Sequence, residues 1–99
     1  MPDDELLTAH QLAERVRVTY RQLDHWLAHG YLPAQDSTPG TGTRRRFTPD
    51  EVDLARVLAA LVHAGVDPRA AGQSLHTAAV GPRRFAVELG TLIVTGPLP

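Results

Sequence analysis

Residues 8–48 read TAHQLAERVRVTYRQLDHWLAHGYLPAQDSTPGTGTRRRFT, and this stretch decides the fold. Thr8 opens a helical pattern. A threonine at an N-cap accepts a bond from the amide three residues on, and Gln11 is placed to reach back and close a capping box. Leu7 before the cap can pack on Leu12, and Ala9, Leu12, Ala13 and Val16 follow helical spacing. The same grammar recurs at Thr19, with Gln22 three residues on and Val18 set to staple to Leu23. The second helix runs to about His29 and stops at Gly30, a residue suited to the left-handed position after a helix. Leu23 and Leu27 face inward, flanked by Tyr20 or Trp26. Only Arg17 and Val18 separate the two helices, and so short a joint forces the sharp angle of a helix-turn-helix unit.

Outward from this pair, Tyr31-Leu32-Pro33 is expected to form a short strand. Residues 34–43 are a polar Gly/Pro/Thr loop, and residues 44–47, RRRF, are expected to return as the partner strand. A hairpin with a basic tip beside a helix-turn-helix is a wing. Thr48 starts a third helix by the same rules: Pro49 suits the first helical position, Glu51 closes the box and Phe47 staples to Val52. Val52, Leu54, Ala55, Leu58, Leu61 and Val62 cover more than a narrow stripe, which makes this helix the central core element or part of a dimer contact. It ends at Gly65. Asp67 and Pro68 then begin a short fourth helix with Ala71, Leu75 and Ala78, ending before Gly81-Pro82.

From Arg84 the chain changes character. RFAVELGTLIVTGPLP is β-branched and alternating. Phe85, Val87 and Leu89 fall on one strand, Leu92 and Val94 on another, with a turn near Gly90. A lone hairpin is marginal in water, so these strands must pack on the domain, pair with a second chain or stay loose. The fold class expected is mainly α with a small β component: a winged helix-turn-helix over residues 5–80 and a C-terminal β-hairpin or arm over 81–99.

With 99 residues the chain has room for one small core and little else. It contains no cysteine, so disulfides, thiolate metal sites and thiol redox chemistry are excluded. No apolar run approaches a membrane span, and the acidic start MPDDELL lacks the profile of a signal peptide. The expected location is the cytoplasm, on the nucleoid, with no membrane partner. The formal net charge is −1, but the distribution is uneven. All ten basic residues are arginine. Six of them lie between Arg15 and Arg46, where the only acids are Asp24 and Asp36. Asp3, Asp4 and Glu5 before the window, and Asp50, Glu51 and Asp53 after it, offset that charge. A focused basic window in a neutral chain points to nucleic acid.

The order helix, tight turn, helix, wing, helix, short helix resembles the DNA-binding domain of the MerR family of transcriptional regulators over roughly residues 7–78. Leu12-Ala13 matches its Leu-Ala pair, Val18-Thr19 its Val-Ser/Thr helix start and Gly30-Tyr31-Leu32-Pro33 its Gly-Leu-x-Pro element. Arg45-Arg46-Phe47-Thr48 resembles its Arg-Arg-Tyr-Ser/Thr wing end, with Asp50-Glu51 on the next helix. His63-Ala64-Gly65-Val66 resembles its break between helices. TYRQLDHW resembles an actinobacterial branch carrying an Asp-Tyr-Trp triplet here. Two positions depart from the pattern: Arg17 stands where the family usually has glycine, and Asp24 where many members have arginine. No pattern for the family's long dimerising coiled coil follows.

The resemblance implies a sequence-specific regulator of double-stranded DNA, with helix 19–29 in the major groove and wing 34–47 on the backbone or minor groove. Dimerisation is expected through the C-terminal segment and third helix, and RNA polymerase is a further contact. The DNA-binding set is Arg17, Thr19, Tyr20, Arg21, Asp24, His25, Arg44, Arg45 and Arg46. Arg21, on the first turn of the second helix, can take guanine bidentately or clamp a phosphate. Thr19 lies at the helix N-terminus, a natural phosphate site, while Tyr20 suits the core as well as DNA. Asp24 can accept from a cytosine amino group or orient Arg21 by an i, i+3 pair; the pair is the expectation. Trp26 is expected in the core or against the wing. His25 and His29 have metal-ligand spacing but no third ligand, so no metal or cofactor is expected. With no phosphate-cradling loop, nucleophile motif or embedded carboxylate pair, no enzyme is expected. The alternatives are an excisionase-like architectural factor that bends DNA, and a protein-interaction adaptor on a degenerate winged helix.

Overall fold

The structure is a computed structural model that describes residues 7–32 and 46–97. In chain order it contains strand β1 (Leu7–Thr8), helices α1 (Ala9–Val16) and α2 (Tyr20–Ala28), strand β2 (Arg46–Phe47), helices α3 (Pro49–His63) and α4 (Pro68–Ser74) and a 3₁₀ turn (Leu75–Thr77). Strands β3 (Ala79–Val80), β4 (Arg84–Leu89) and β5 (Leu92–Pro97) complete it. It is a mainly α fold built on a helix-turn-helix, with a C-terminal β-hairpin.

The helix starts follow the threonine grammar. Thr8 accepts from the Gln11 N–H at 3.2 Å while the Thr8 N–H donates to Gln11 Oε1 at 2.9 Å. Thr48 and Glu51 make the same reciprocal pair, at 2.8 and 3.3 Å, and Pro49 takes the first helical position. At α2 only half of the expected box forms: Thr19 accepts from the Gln22 N–H at 3.0 Å, without a return bond from the Gln22 side chain. Asp67 caps α4 by accepting from the Ala70 N–H at 3.2 Å.

The first three helices also stop alike. After α1 the Val18 N–H donates to the Ala13 carbonyl and the Arg17 N–H to that of Glu14. After α2 the same two bonds run Tyr31 to Trp26 and Gly30 to Leu27, and after α3, Val66 to Leu61 and Gly65 to Val62. Each is a Schellman ending, which needs one left-handed residue. Gly30 (φ 74) and Gly65 (φ 102) supply it without steric cost, whereas at the joint between α1 and α2 Arg17 supplies it, at φ 65 and ψ 43.

One core joins these elements. Leu12 and Val16 of α1, Leu23 and Trp26 of α2, Phe47 of β2, six residues of α3 from Val52 to Leu61, and Ala71 and Leu75 are buried together with Phe85 and Val87 of β4. α3 is its central element, with Val57, Leu58 and Ala59 on consecutive positions all fully buried. Its half-buried Leu54, Ala60 and Val62 pack on the same cluster. Burying each large aliphatic or aromatic side chain here contributes about 1.5–3 kcal/mol. Trp26 is 1% exposed, which makes it a core residue.

The strand pairing expected for the wing is corrected. Tyr31 and Leu32 form a bend, not a strand. Arg46–Phe47 pairs antiparallel with the N-terminal Leu7–Thr8, Leu7 opposite Phe47 and Thr8 opposite Arg46. The cause is Phe47, fully buried beside α1 and α3: seating that ring brings β2 alongside the residues leading into α1. Leu32, also buried, joins the same core as a bend residue. Pro33, loop 34–43, Arg44 and Arg45 lie outside the described residues.

The C-terminal hairpin packs on the domain. β4 pairs with β5 from Arg84 opposite Pro97 to Leu89 opposite Leu92, and the short β3 adds a third strand on its other side. Gly90 at φ 62, followed by Thr91 at negative φ, has the φ pattern of a type II′ turn, the type that matches strand twist. The fourth helix is shorter than expected: α4 ends at Ser74, a 3₁₀ turn follows to Thr77, Ala78 is extended rather than helical, and Ala79–Val80 pairs with β4 as β3.

Candidate nucleic-acid interface

α2 is held by two anchors and offers the opposite face to solvent. Leu23 and Trp26, one turn apart, are buried, and Leu27 is half-buried. The helical period then turns Arg21, Asp24, His25 and Ala28 outward, and all four are exposed. The Schellman turn at Arg17 sets the direction in which α2 leaves α1.

Arg17, Thr19, Tyr20, Arg21, Asp24, His25 and Arg46 are all exposed. The first six share the turn and the outer face of α2. Arg46 stands on β2, opposite Thr8 and therefore beside the start of α1; alternation along the strand sends Phe47 inward and Arg46 outward. Arg44 and Arg45 lie outside the described residues. Tyr20, 38% exposed, is on the surface rather than in the core. The Thr19 hydroxyl holds the Gln22 N–H, while the amides of Tyr20 and Arg21, in the first turn, have no partner within the helix and point outward from the positive end of its dipole.

Two contacts shape this face. The rings of His10 on α1 and Tyr20 on α2 stack with centroids 4.2 Å apart and 13° between planes. Ten residues of sequence separate them and no spacing rule pairs them, so nothing in the linear order marks His10. At the other end of α2, His29 Nδ1–H donates to the His25 carbonyl at 3.0 Å, and the His25 and His29 rings lie 4.0 Å apart beside Tyr31. No group of three metal-ligating side chains occurs among the described residues.

The expected Arg21–Asp24 ion pair does not form among the described residues. Both side chains stand free on one exposed face. A free guanidinium offers five donors and a free carboxylate only acceptors, so this face presents both kinds of hydrogen-bonding group to solvent.

The model of the MerR HTH family of regulatory proteins matches residues 7–77. The chain belongs to the MerR HTH family. The match begins at β1 and ends in the 3₁₀ turn after α4, so it spans the helix-turn-helix, β2 and the α3–α4 pair. The chain is therefore a DNA-binding regulator of this family, and double-stranded DNA is its partner. Comparison with curated proteins and with solved structures gives no match. No helix among the described residues is long and apolar enough to cross a membrane.

Proposed function

We propose that this MerR-family protein is a sequence-specific transcriptional regulator that places α2 in the major groove and its arginine-rich wing on the phosphate backbone or in the adjacent minor groove. One observation carries the reading: Leu23 and Trp26 lock α2 into the core while Arg17, Thr19, Tyr20, Arg21, Asp24 and His25 all stay exposed along the turn and one helix face. In this arrangement Arg21 takes a guanine or a phosphate, and the first-turn amides and Arg17 hold the backbone. Asp24, free of Arg21, accepts from a cytosine amino group. Arg44, Arg45 and Arg46 supply phosphate contacts from the wing. The neutral overall charge concentrates non-specific attraction on this face.

A single unit of this size reads few base pairs, so the working form is a homodimer on two half-sites. It acts in the cytoplasm, on the nucleoid, with RNA polymerase as a further contact at the promoter. The 5–80 segment forms the DNA-binding unit and 81–99 the extension that joins two of them.

Selection of bound duplexes from a random library, repeated with Arg21→Ala and Asp24→Asn, tests this reading. The expected result is a defined site in which each substitution relaxes preference at one or two base pairs, by about 1–3 kcal/mol for a bidentate pair. Failure to enrich any sequence, with binding unaffected by either substitution, would refute it. Clustered direct repeats in place of a palindrome would point instead to the architectural role.

A further inference from the structure

β5 is one edge of the three-stranded sheet, and no strand among the described residues pairs with its outer side. The hydrogen-bonding phase of the sheet follows from two bonds on the far side of β4. Gly81 N–H donates to the Arg84 carbonyl at 2.8 Å and Glu88 N–H to Thr77 Oγ1 at 2.9 Å. Even-numbered residues of β4 thus direct their backbone groups away from β5. Odd-numbered ones bond β5, through the register partners Leu92, Val94 and Gly96. Ile93 and Thr95 are left with both N–H and C=O pointing out of the sheet, and Pro97 has no N–H to offer.

The side chains match this edge. Leu92 and Ile93 are the most exposed large hydrophobics among the described residues, at 67% and 71%. Register partners share a face, so Leu92, Val94 and Gly96 lie on the side of buried Phe85 and Val87. Gly96 is bare there: a Cβ would sit 3.2 Å from the Phe85 ring, which lies across it. The strand LIVTGP contains no charge, whereas a protected edge carries charges, bulges or early prolines.

We propose that β5 is a dimer edge that pairs antiparallel with β5 of a second copy, about a two-fold axis at Val94. Ile93 then pairs with Thr95 of the second copy, and Thr95 with its Ile93, in four backbone hydrogen bonds. Val94 faces its own counterpart. Leu92 falls opposite Gly96 of the second copy. A two-fold axis brings like residues together, and the uncharged strand sets no charge against itself. The proposal deepens the homodimer stated above and rests on that reading. α3 is spent on its own core, so the contact falls to the strand. A six-residue edge buries less than the roughly 800 Å² per partner of a standard stable interface. The dimer is therefore weak in solution and completed on DNA, where two half-sites hold the copies together. A two-fold pair fits inverted repeats.

The chain has no cysteine, so Val94→Cys is a single-cysteine probe. Directly opposed residues of a non-hydrogen-bonded antiparallel pair have Cα atoms about 4.5 Å apart, within disulfide range. Mild oxidation of the full chain, without DNA, is expected to give a covalent dimer from Val94→Cys and none from the control Arg84→Cys on β4. Sedimentation of the wild type is expected to show dissociation on the order of 100 µM. Thr95→Pro removes one outward N–H and none within the sheet. It is expected to sediment as a folded monomer with unchanged circular dichroism, and to lose at least tenfold in affinity for a paired site while keeping its affinity for a single half-site. A Thr95→Pro protein that remains dimeric, or a dimer whose Val94→Cys form does not cross-link, overturns the proposal. A wild type that stays monomeric throughout overturns it too, and would leave the edge to a strand of another protein. Because cross-linking and sedimentation need no DNA, failure of the DNA reading would show separately, as absence of half-site binding.

Discussion

His10 and Tyr20 stack face to face, 4.2 Å between centroids, and so tie the first turn of α1 to the first turn of α2. Both rings are exposed. An aromatic pair of this kind contributes about 0.5–1.5 kcal/mol beyond area burial, enough to hold the Tyr20 ring in one orientation at the N-terminal end of α2, which the proposed function places against DNA. His10→Ala is expected to weaken DNA binding about threefold with little change in melting temperature, and His10→Phe to restore it. Titration of a fluorescent duplex checks both; equal affinity of His10→Ala and wild type would dissociate the stack from recognition.

Arg17 occupies a left-handed position that glycine would fill at lower steric cost. A non-glycine residue in the left-handed region costs about 1–2 kcal/mol, and glycine gives back about 0.5–1 kcal/mol in backbone entropy. Arg17→Gly is therefore expected to raise the melting temperature by a few degrees. If Arg17 holds a phosphate, the same variant binds DNA more weakly, with a log–log salt slope shallower by about 0.9. Calorimetry and a salt titration read the two effects independently.

Gly72 of α4 passes directly under Tyr31. A Cβ there would lie 2.7 Å from the Tyr31 carbonyl oxygen and 2.8 Å from its Cα. Both obstacles are backbone, so no side-chain rotation relieves them. Gly72→Ala must push α4 away from the segment that leads out of α2, at an expected cost of about 1–3 kcal/mol. Thermal unfolding should show a loss of roughly 4–20 °C. Gln73→Ala, next along the same helix and exposed, should leave the transition in place.

The wing arginines are expected to act on affinity rather than specificity. Converting Arg44, Arg45 and Arg46 together to alanine should weaken binding to all sequences alike. The salt slope should fall by about 0.9 for each phosphate that these arginines neutralise in the wild type. Arg21→Ala should instead change which site is preferred. Mobility-shift assays on the selected site and a scrambled duplex, at several salt concentrations, separate the two behaviours.

The helix boundaries are legible in the linear order because they are local events. A threonine cap bonds three residues away, and a Schellman ending closes over six residues; Thr8, Thr19, Thr48, Gly30 and Gly65 announce themselves. The C-terminal hairpin is legible through its alternation and Gly90. Less visible is anything that depends on what lies across the core. The partner of Arg46–Phe47 is Leu7–Thr8, nearly forty residues earlier, and not the neighbouring Tyr31–Leu32, because burial of Phe47 and Leu32 fixes where each segment sits. The Arg21–Asp24 pair expected from i, i+3 spacing is only one option open to two solvated side chains, for which an exposed ion pair is worth little.

Sequence alone determined where the helices begin and where the first three end, which faces are apolar, that the basic charge gathers between Arg15 and Arg46, and the family to which that order of elements belongs. These are short-range properties, written in caps, periodicity and turns. Tertiary structure decided that Arg17 takes the left-handed turn its side chain disfavours, that Trp26 is core while Tyr20 is surface, and that His10 supports Tyr20. It also decided that β4 docks on the domain while the outer edge of β5 pairs with no other strand among the described residues. Each of these follows from the competition of several elements for one small core, and that competition is settled only when all of them are in place.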